Sequence, residues 1–433
     1  MLSKLPAGLV LHRRPSPSGT VAVSSGASRR SFLGGTLATT LAGVSMLPEG
    51  GLFAAGEQRL RIGLVGCGGR GTGAAAQAAA ADPTVRVVAL GDMFADQVAS
   101  AAEVLGRSAG QQFDCPPTRQ FVGADAYRHV IQSGVDVVLL ATPPHVRPLH
   151  LEAAVDARKH VYCEKPAAID VAGVVRVAAA AARGRAAGLA LVSGFCFRQD
   201  AQLGELVARI HDGEIGRPLV VQAHAAIGLP WRKPVEQGQA AVEWPLRNWI
   251  SFARFSGGHF VEHHVQAIDR AAWILGDQAP VRAEVLAEVF GEAAWASGDC
   301  DRGVATGAIG DCPTATAVRY TFADGSTIRA SLGRRQRGSD MLVEAVVGTA
   351  GSCDLHRGTR DRPQPWEASE VPRANRYQAT IDRLIRGLLT GQAPHDGDTL
   401  CRSTLMAVMG RMAGETGRPV AWAEIADGVQ MLA

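Results

Sequence analysis

From residue 60 onward, short uninterrupted apolar runs alternate with Ala-rich stretches of helical character, and this alternation constrains the fold more than any other feature of the sequence. Strands are expected at 60–66, 85–91, 135–141, 160–163 and 189–194, and helices at 69–81, 94–105, 124–133, 146–158 and 170–188. A strand that is apolar at nearly every position has no face to offer water, so its sheet must be covered on both sides. Strands separated by helices pair in parallel, because a helical crossover returns the chain to the same end of the sheet. The expectation is a doubly wound α/β Rossmann domain over 58–195.

Beyond 195 the rhythm changes. A helix (201–212) and a strand (218–227) lead into a loop rich in Trp, Arg, Pro and Gly that runs to about 256, longer than an ordinary connection. A long helix (258–275) follows, then strands at 281–289, 316–322, 326–332 and 342–347, with Asp324-Gly325 as a hairpin turn, and helices at 374–389 and 398–416. Residues 196–425 are therefore expected to form an α+β domain with a largely antiparallel sheet.

Residues 1–55 read as an export signal and linker. Ser28-Arg29-Arg30-Ser31-Phe32-Leu33 is a twin-arginine pattern, followed by an uncharged run of small and apolar residues to Pro48. That run is too short for a stable membrane anchor, so the expected location is periplasmic or otherwise outside the cytoplasm. With 47% apolar and 20% charged residues the chain can bury a large core, and a net charge of +3 gives no argument for a nucleic-acid or membrane-surface partner. The eight cysteines contain no CxxC. Cys300 and Cys312 could pair in an oxidising compartment, with two free thiols as the alternative.

Gly66-Cys67-Gly68-Gly69-Arg70-Gly71 is a GxGxxG run at the end of the first strand and the start of a helix, and Asp92 ends the next strand. Gly66, Gly68, Gly69 and Gly71 let the backbone turn tightly and approach a pyrophosphate at the helix N-terminus, while the Asp92 carboxylate accepts from a ribose 2′-OH. A carboxylate there repels a 2′-phosphate, which favours NAD over NADP. Arg70, able to reach a phosphate, leaves NADP open.

His160-Val161-Tyr162-Cys163-Glu164-Lys165-Pro166, with Ala141-Thr142-Pro143-Pro144-His145 upstream and Gly257-Gly258 opening a helix that ends Trp273-Ile274-Leu275-Gly276, resembles the Gfo/Idh/MocA family of oxidoreductases. The run from Trp244 to Trp249 resembles the branch exported through a twin-arginine signal. The resemblance implies an open-faced second sheet that supports a homo-oligomer, and NAD(P)-dependent chemistry on sugars, inositols or related carbohydrates. It places Thr142, Pro143, His145 and Glu164 at the cofactor and Lys165 at the substrate beside the nicotinamide. There an ammonium stabilises a developing alkoxide, with Glu164 as its ion-pair or orienting partner.

The sequence departs from the family pattern on the long helix, where an acid and a histidine four residues on become Glu262 and Gln266. An amide cannot exchange a proton at neutral pH. On an α-helix His259, Glu262, His263 and Gln266 share one face, so His263 is a candidate replacement, while His264 falls in the apolar stripe as a core residue. Arg147 stands where a histidine is common. It is a candidate for a substrate carboxylate or phosphate, or a solvated helix-start residue. Trp231, Arg232, Trp244, Arg247, Asn248 and Trp249 suit a sugar site, aromatic rings packing on C–H faces and Arg and Asn bonding hydroxyls, with core roles as the alternative.

Two other functions compete. His259-Phe260-Val261-Glu262-His263 is HxxEH, which in a zinc hydrolase would give two ligands and a base. A protein that binds dinucleotide and sugar without turnover is the other, supported by Gln266. An exported dehydrogenase would also need its dinucleotide tightly bound and recycled in place, since no nicotinamide pool awaits it outside the cytoplasm.

Overall fold

The computed structural model describes residues 59–286, 310–312, 315–335, 340–356 and 374–427. The expected export signal, and Cys300 of the proposed cysteine pair, lie outside them; Cys312 is buried with a free thiol. In the first domain β1 (Leu60–Val65), β2 (Val85–Asp92), β3 (Gln120–Val122), β4 (Val137–Leu140), β5 (His160–Cys163) and β6 (Leu191–Ser193) form a parallel sheet in the order β3-β2-β1-β4-β5-β6. Helices α1 (Gly69–Ala81), α2 (Ala95–Ser108), α3 (Ala126–Gln132), α4 (Arg147–Asp156) and α5 (Val171–Ala186) connect them. This is the doubly wound arrangement, and β1 and β4 are neighbours at the point where strand order reverses. Ligands bind at the strand C-termini of that crevice. Strand β3, three residues at the sheet edge, is too short to show in the sequence pattern.

The second domain carries α6 (Ala201–His211) and a seven-stranded sheet. Its strands are β7 (Pro218–Gly228), β8 (Arg282–Val285), β9 (Ala315–Thr321), β10 (Thr327–Arg335), β11 (Met341–Gly348), β12 (Ser352–Asp354) and β13 (Val420–Ala421). Five of its six neighbour pairs are antiparallel, and β7 runs parallel to β10. Short helices α7 (Glu243–Arg247) and α8 (Ala253–Ser256) precede a π-helical turn (Phe260–His264) and α9 (Val265–Ile274). Helix α9 and a buried C-terminal helix, Gly397–Thr416, cover one face of this sheet.

The expected boundary at 195 separates the sheets but not the packing. Ile381, Leu384 and Ile385 of helix Arg376–Leu389 join Ala74, Ala75 and Ala78 of α1 in one apolar cluster. Residues after that helix also extend the Rossmann edge, where Leu191 donates its N–H to Pro394 O and accepts from Asp396 N. Just past β6, at the start of the second domain, Arg198 forms a fork on buried Asp269 of α9, which also accepts from Ser403 Oγ at 2.7 Å. This buried network ties the chain leaving β6 to α9 and to helix Gly397–Thr416.

Candidate active site

The glycine turn is shaped for a dinucleotide. Gly66 has φ +96°, and a Cβ there would lie 2.6 Å from the carbonyl carbon of Ala141, across the switch point; one on Gly71 would meet Gly66 O at 1.9 Å. In front of Gly68 and Gly69, by contrast, nothing lies within 4 Å of an added Cβ. Helix α1 begins with no side-chain cap and no acid in its first turn. The result is an open cradle over a positive helix end, which fits a pyrophosphate. Half-buried Asp92 accepts from Cys67 N at 2.7 Å and Phe94 N at 3.0 Å through different oxygens. Each oxygen keeps a lone pair for a ribose diol. Burial raises its pKa, against these two amides.

Arg70 does not reach toward Asp92. Its guanidinium donates to Gln77 at 2.8 Å, lies 4.8 Å over the Tyr377 ring and pairs with Glu164 at 3.2 Å. In this conformation the cation faces the other end of the site, toward Glu164.

Strand β5 delivers Glu164 and Lys165. Glu164 is buried, with Oε1 accepting from Tyr162 Oη at 2.6 Å and Oε2 from Lys165 N at 3.1 Å. A Cβ on Gly194 would come within 2.6 Å of Oε2, so only glycine leaves room for this carboxylate. The expected Glu164–Lys165 ion pair is not formed: Glu164 pairs with Arg70 and orients Lys165 through the backbone. The Lys165 ammonium instead crosses between domains, donating to Glu262 Oε1 at 2.9 Å and Glu262 O at 2.8 Å. Burial raises the Glu262 pKa, opposed by Lys165 and then Arg147, and its Oε2 is buried with no partner.

Arg147, read as a substrate anchor or a solvated residue, is neither. It is buried, and its guanidinium donates to the carbonyls of Thr142 and Pro166, tying the two cofactor-side loops together. Thr142 Oγ1 lies 3.1 Å from His150 Nδ1. His145 packs on Phe255 at 4.9 Å, its Nδ1 buried and unpartnered, and burial lowers its pKa to about 4.

The helix carrying the acid and histidines is locally π-helical, which changes the expected face. Gly257 and Gly258, both with positive φ, lead into it. The wider turn places His259 and His263 edge-to-face, 5.7 Å between ring centres, around Arg334 of β10. Arg334 donates Nε to His259 Nδ1 and Nη2 to His263 Nδ1, each at 3.0 Å, and Nη1 to Gly228 O at 2.8 Å. Because guanidinium only donates, both imidazoles accept at Nδ1 and carry their proton on Nε2. Burial and Arg334 lower the pKa of both, that of His259 to about 3. His263, expected as a general base, is thus held as a neutral N–H donor. Gln266 turns to the other side, donating to Gly194 O at 3.4 Å with Oε1 buried and unpartnered. His264 is a core residue bonded to Ala223 O at 2.9 Å.

A further segment differs from its sugar-site reading. Asn248 is buried and bonds the backbone of Lys233 and Trp244, and Trp244 Nε1 donates to Lys233 O. Arg247 forms a bidentate pair with Asp96 in the first turn of α2, bonds Glu243, and lies 4.0 Å over the Phe94 ring. Trp231 is 48% exposed. The segment 229–252 is thus a strap latched onto the Rossmann domain beside Asp92, and Arg247 is its bolt rather than a hydroxyl ligand.

The HxxEH geometry does not suit zinc. Glu262 lies on Lys165, and a dication would have to enter beside the Arg334 guanidinium; no metal-like cluster of three ligands occurs among the described residues. Arg334 is the candidate site residue that the sequence did not reveal. Period-two alternation on β10 puts it on the face of Ala330 and Leu332, beneath the helices, but only the tertiary fold brings it to the histidines.

Residues 60–189 match the GFO_IDH_MocA family, described as an oxidoreductase family with an NAD-binding Rossmann fold. Myo-inositol 2-dehydrogenase of Thermotoga maritima is 25% identical over 309 residues, which is 69% of this chain and 82% of that protein. Among solved structures, GenD2 from gentamicin A biosynthesis, in complex with NAD, aligns with TM-score 0.62 at 19% identity over 84% of this chain and 96% of its own. Aldose-aldose oxidoreductase from Caulobacter crescentus aligns with TM-score 0.61 at 21% identity over 84% and 99%. The cradle, Asp92 and the strand order therefore belong to an NAD-binding oxidoreductase.

Proposed function

The Rossmann domain of this chain belongs to the Gfo/Idh/MocA oxidoreductase family, and from that premise we propose that the protein moves a hydride between NAD and a CH–OH carbon of a sugar, inositol or glycoside. The observation that carries this reading is the Lys165–Glu262 pair, which joins the two domains at the strand C-termini. NAD supplies the hydride-accepting nicotinamide. Gly66 to Gly71 hold the pyrophosphate, Asp92 the ribose, and Arg147 fixes the loops on either side.

An ammonium has three N–H donors. Lys165 gives two to Glu262, so one remains for a substrate oxygen. As that hydroxyl is oxidised, Lys165 stabilises the growing negative charge and relays the proton to Glu262, whose burial makes it a better proton holder than an exposed acid. His263 and His259 act as N–H donors that orient other substrate oxygens. Purified protein loaded with NAD is tested against inositols and sugars for growth of the reduced-nicotinamide absorbance. Growth with at least one polyol supports the reading. Bound dinucleotide that never changes redox state favours the binding-only alternative, which the Gln266 amide supports.

The twin-arginine pattern supports export to the periplasm. There the dinucleotide would stay bound while one substrate is oxidised and another, or the same one after alteration, is reduced. The likeness to an aldose-aldose oxidoreductase and the Arg247 strap both support this closed cycle. Val343 and Val347 of β11, 40% and 39% exposed, support a homo-oligomer built on the sheet face that no described helix covers.

A further inference from the structure

Two buried guanidiniums at the cleft bond only neutral acceptors: Arg147, which is spent on the carbonyls of Thr142 and Pro166, and Arg334. Lys165 answers Glu262, and Arg70 answers Glu164. Arg334 is 5% exposed, yet its bonds go only to neutral acceptors, the Gly228 carbonyl and two imidazole nitrogens. No carboxylate among the described residues forms an ion pair with it. Burial lowers its pKa to about 10, which still leaves it cationic at neutral pH. Asp340 bears on it only from beyond ion-pair distance, and a buried cation without a paired anion is costly.

The histidines pass that charge outward. Each is polarised at Nδ1 by the guanidinium, which strengthens its Nε2–H as a donor. His259 is 4% exposed and its Nε2 is buried with no acceptor. The cofactor does not supply the missing anion, because its pyrophosphate belongs at the α1 end, in the other domain. The cluster instead lies on the Lys165 side, since His263 follows Glu262, whose carbonyl and carboxylate both accept from Lys165.

We propose that Arg334, His259 and His263 form a receptor for an anionic group on the substrate, and that the substrate is a carboxylate-bearing sugar, a uronate or aldonate. This rests on the reading of the Lys165 cleft as the sugar-oxidising site. The carboxylate accepts from the two Nε2–H donors, and its charge offsets Arg334. Its ring then presents a hydroxyl to Lys165.

The test uses full-length NAD-loaded protein with 15N-labelled histidine, titrated at constant ionic strength. D-Glucuronate, acetate, D-glucose and D-glucose 6-phosphate are the probes. The His259 and His263 Nε2–H signals should shift saturably with glucuronate and acetate at concentrations where glucose leaves them unmoved. Arg334→Gln should weaken glucuronate binding by about tenfold or more, as loss of a charge-assisted site does, and Arg334→Lys by less. If Arg334→Gln fails to fold, His259→Leu, which keeps the cation and removes the unpartnered donor, should show the same weakening. Equal response to glucose and glucuronate, no saturable shift, or tighter binding of the phosphate would overturn the carboxylate assignment. The redox state of the bound nicotinamide, followed on the same sample with inositols and sugars, separates this failure from failure of the oxidoreductase reading, which would show as bound NAD that no polyol reduces.

Discussion

Arg247→Ala should speed escape of the dinucleotide. Arg247 holds the 229–252 strap to the Rossmann domain by two 3.0 Å bonds to Asp96 and by stacking on Phe94, whose own N–H is held by Asp92 at the ribose position. The Asp96 side chain is 52% exposed, so its ion pair is discounted for solvent screening to about 1 kcal/mol at most. The cation–π contact adds roughly 0.5–1 kcal/mol. If strap opening gates release, removing both lowers the barrier by about 0.5–2 kcal/mol, roughly two- to thirtyfold in rate. The assay preloads NADH, chases with excess NAD and follows the decay of nicotinamide fluorescence. Added salt should quicken release from the wild type and have little effect on the variant, since the ion pair is the screened element. Adding Asp96→Asn to Arg247→Ala should change the rate little, since the ion pair is already gone. A release rate within twofold of wild type in Arg247→Ala would refute the latch.

Three further outcomes follow from the same geometry. Asp92→Ala should narrow the preference for NAD over NADP in calorimetric titration; equal affinity of the wild type for both would contradict the ribose role. His263→Gln should lower turnover without removing any step from the pH–rate profile between pH 5 and 8, because His263 is held neutral with its proton on Nε2; loss of such a step would restore it as the general base. Burial lowers the pKa of His145 and His264 to about 4 and of His150 and His259 to about 3. The unfolded chain therefore binds more protons as pH falls below about 6.5, and stability contributed above that pH is lost toward the folded values, at up to about 1.4 kcal/mol per pH unit for each histidine. Melting temperature should fall steeply from pH 7 to 5, and a flat profile would show that these imidazoles titrate normally.

The Rossmann half was legible because its strands are buried on both faces and its turn needs glycine for steric reasons; β1, β2, β4 and β5 fall within a few residues of their apolar runs. Lys165 and Glu262 were legible as a motif and a helix position. Their pairing was not, because nothing local says which of Glu164 and Glu262 faces the ammonium. That choice depends on Tyr162 and Arg70 already holding Glu164. The π turn was hidden for a related reason. Ideal α spacing put His263 beside Gln266, whereas the widened turn directs His263 to Arg334 and Gln266 to Gly194. Arg147, Arg247 and Asn248 have residue types that suit a ligand, but their partners are backbone carbonyls, a distant aspartate and the strap itself.

The central claim is that Lys165 acts on the substrate oxygen while NAD is held by other residues. It is tested most directly by mixing NAD-loaded wild type and Lys165→Ala with a polyol that the wild type oxidises, and recording the reduced-nicotinamide band in a single turnover. The account predicts that both proteins carry NAD, that the band rises in the wild type, and that it is slowed by a thousandfold or more in the variant, on the order expected when alkoxide stabilisation and proton transfer are removed together. A Lys165→Ala protein that reduces its NAD at the wild-type rate would contradict it.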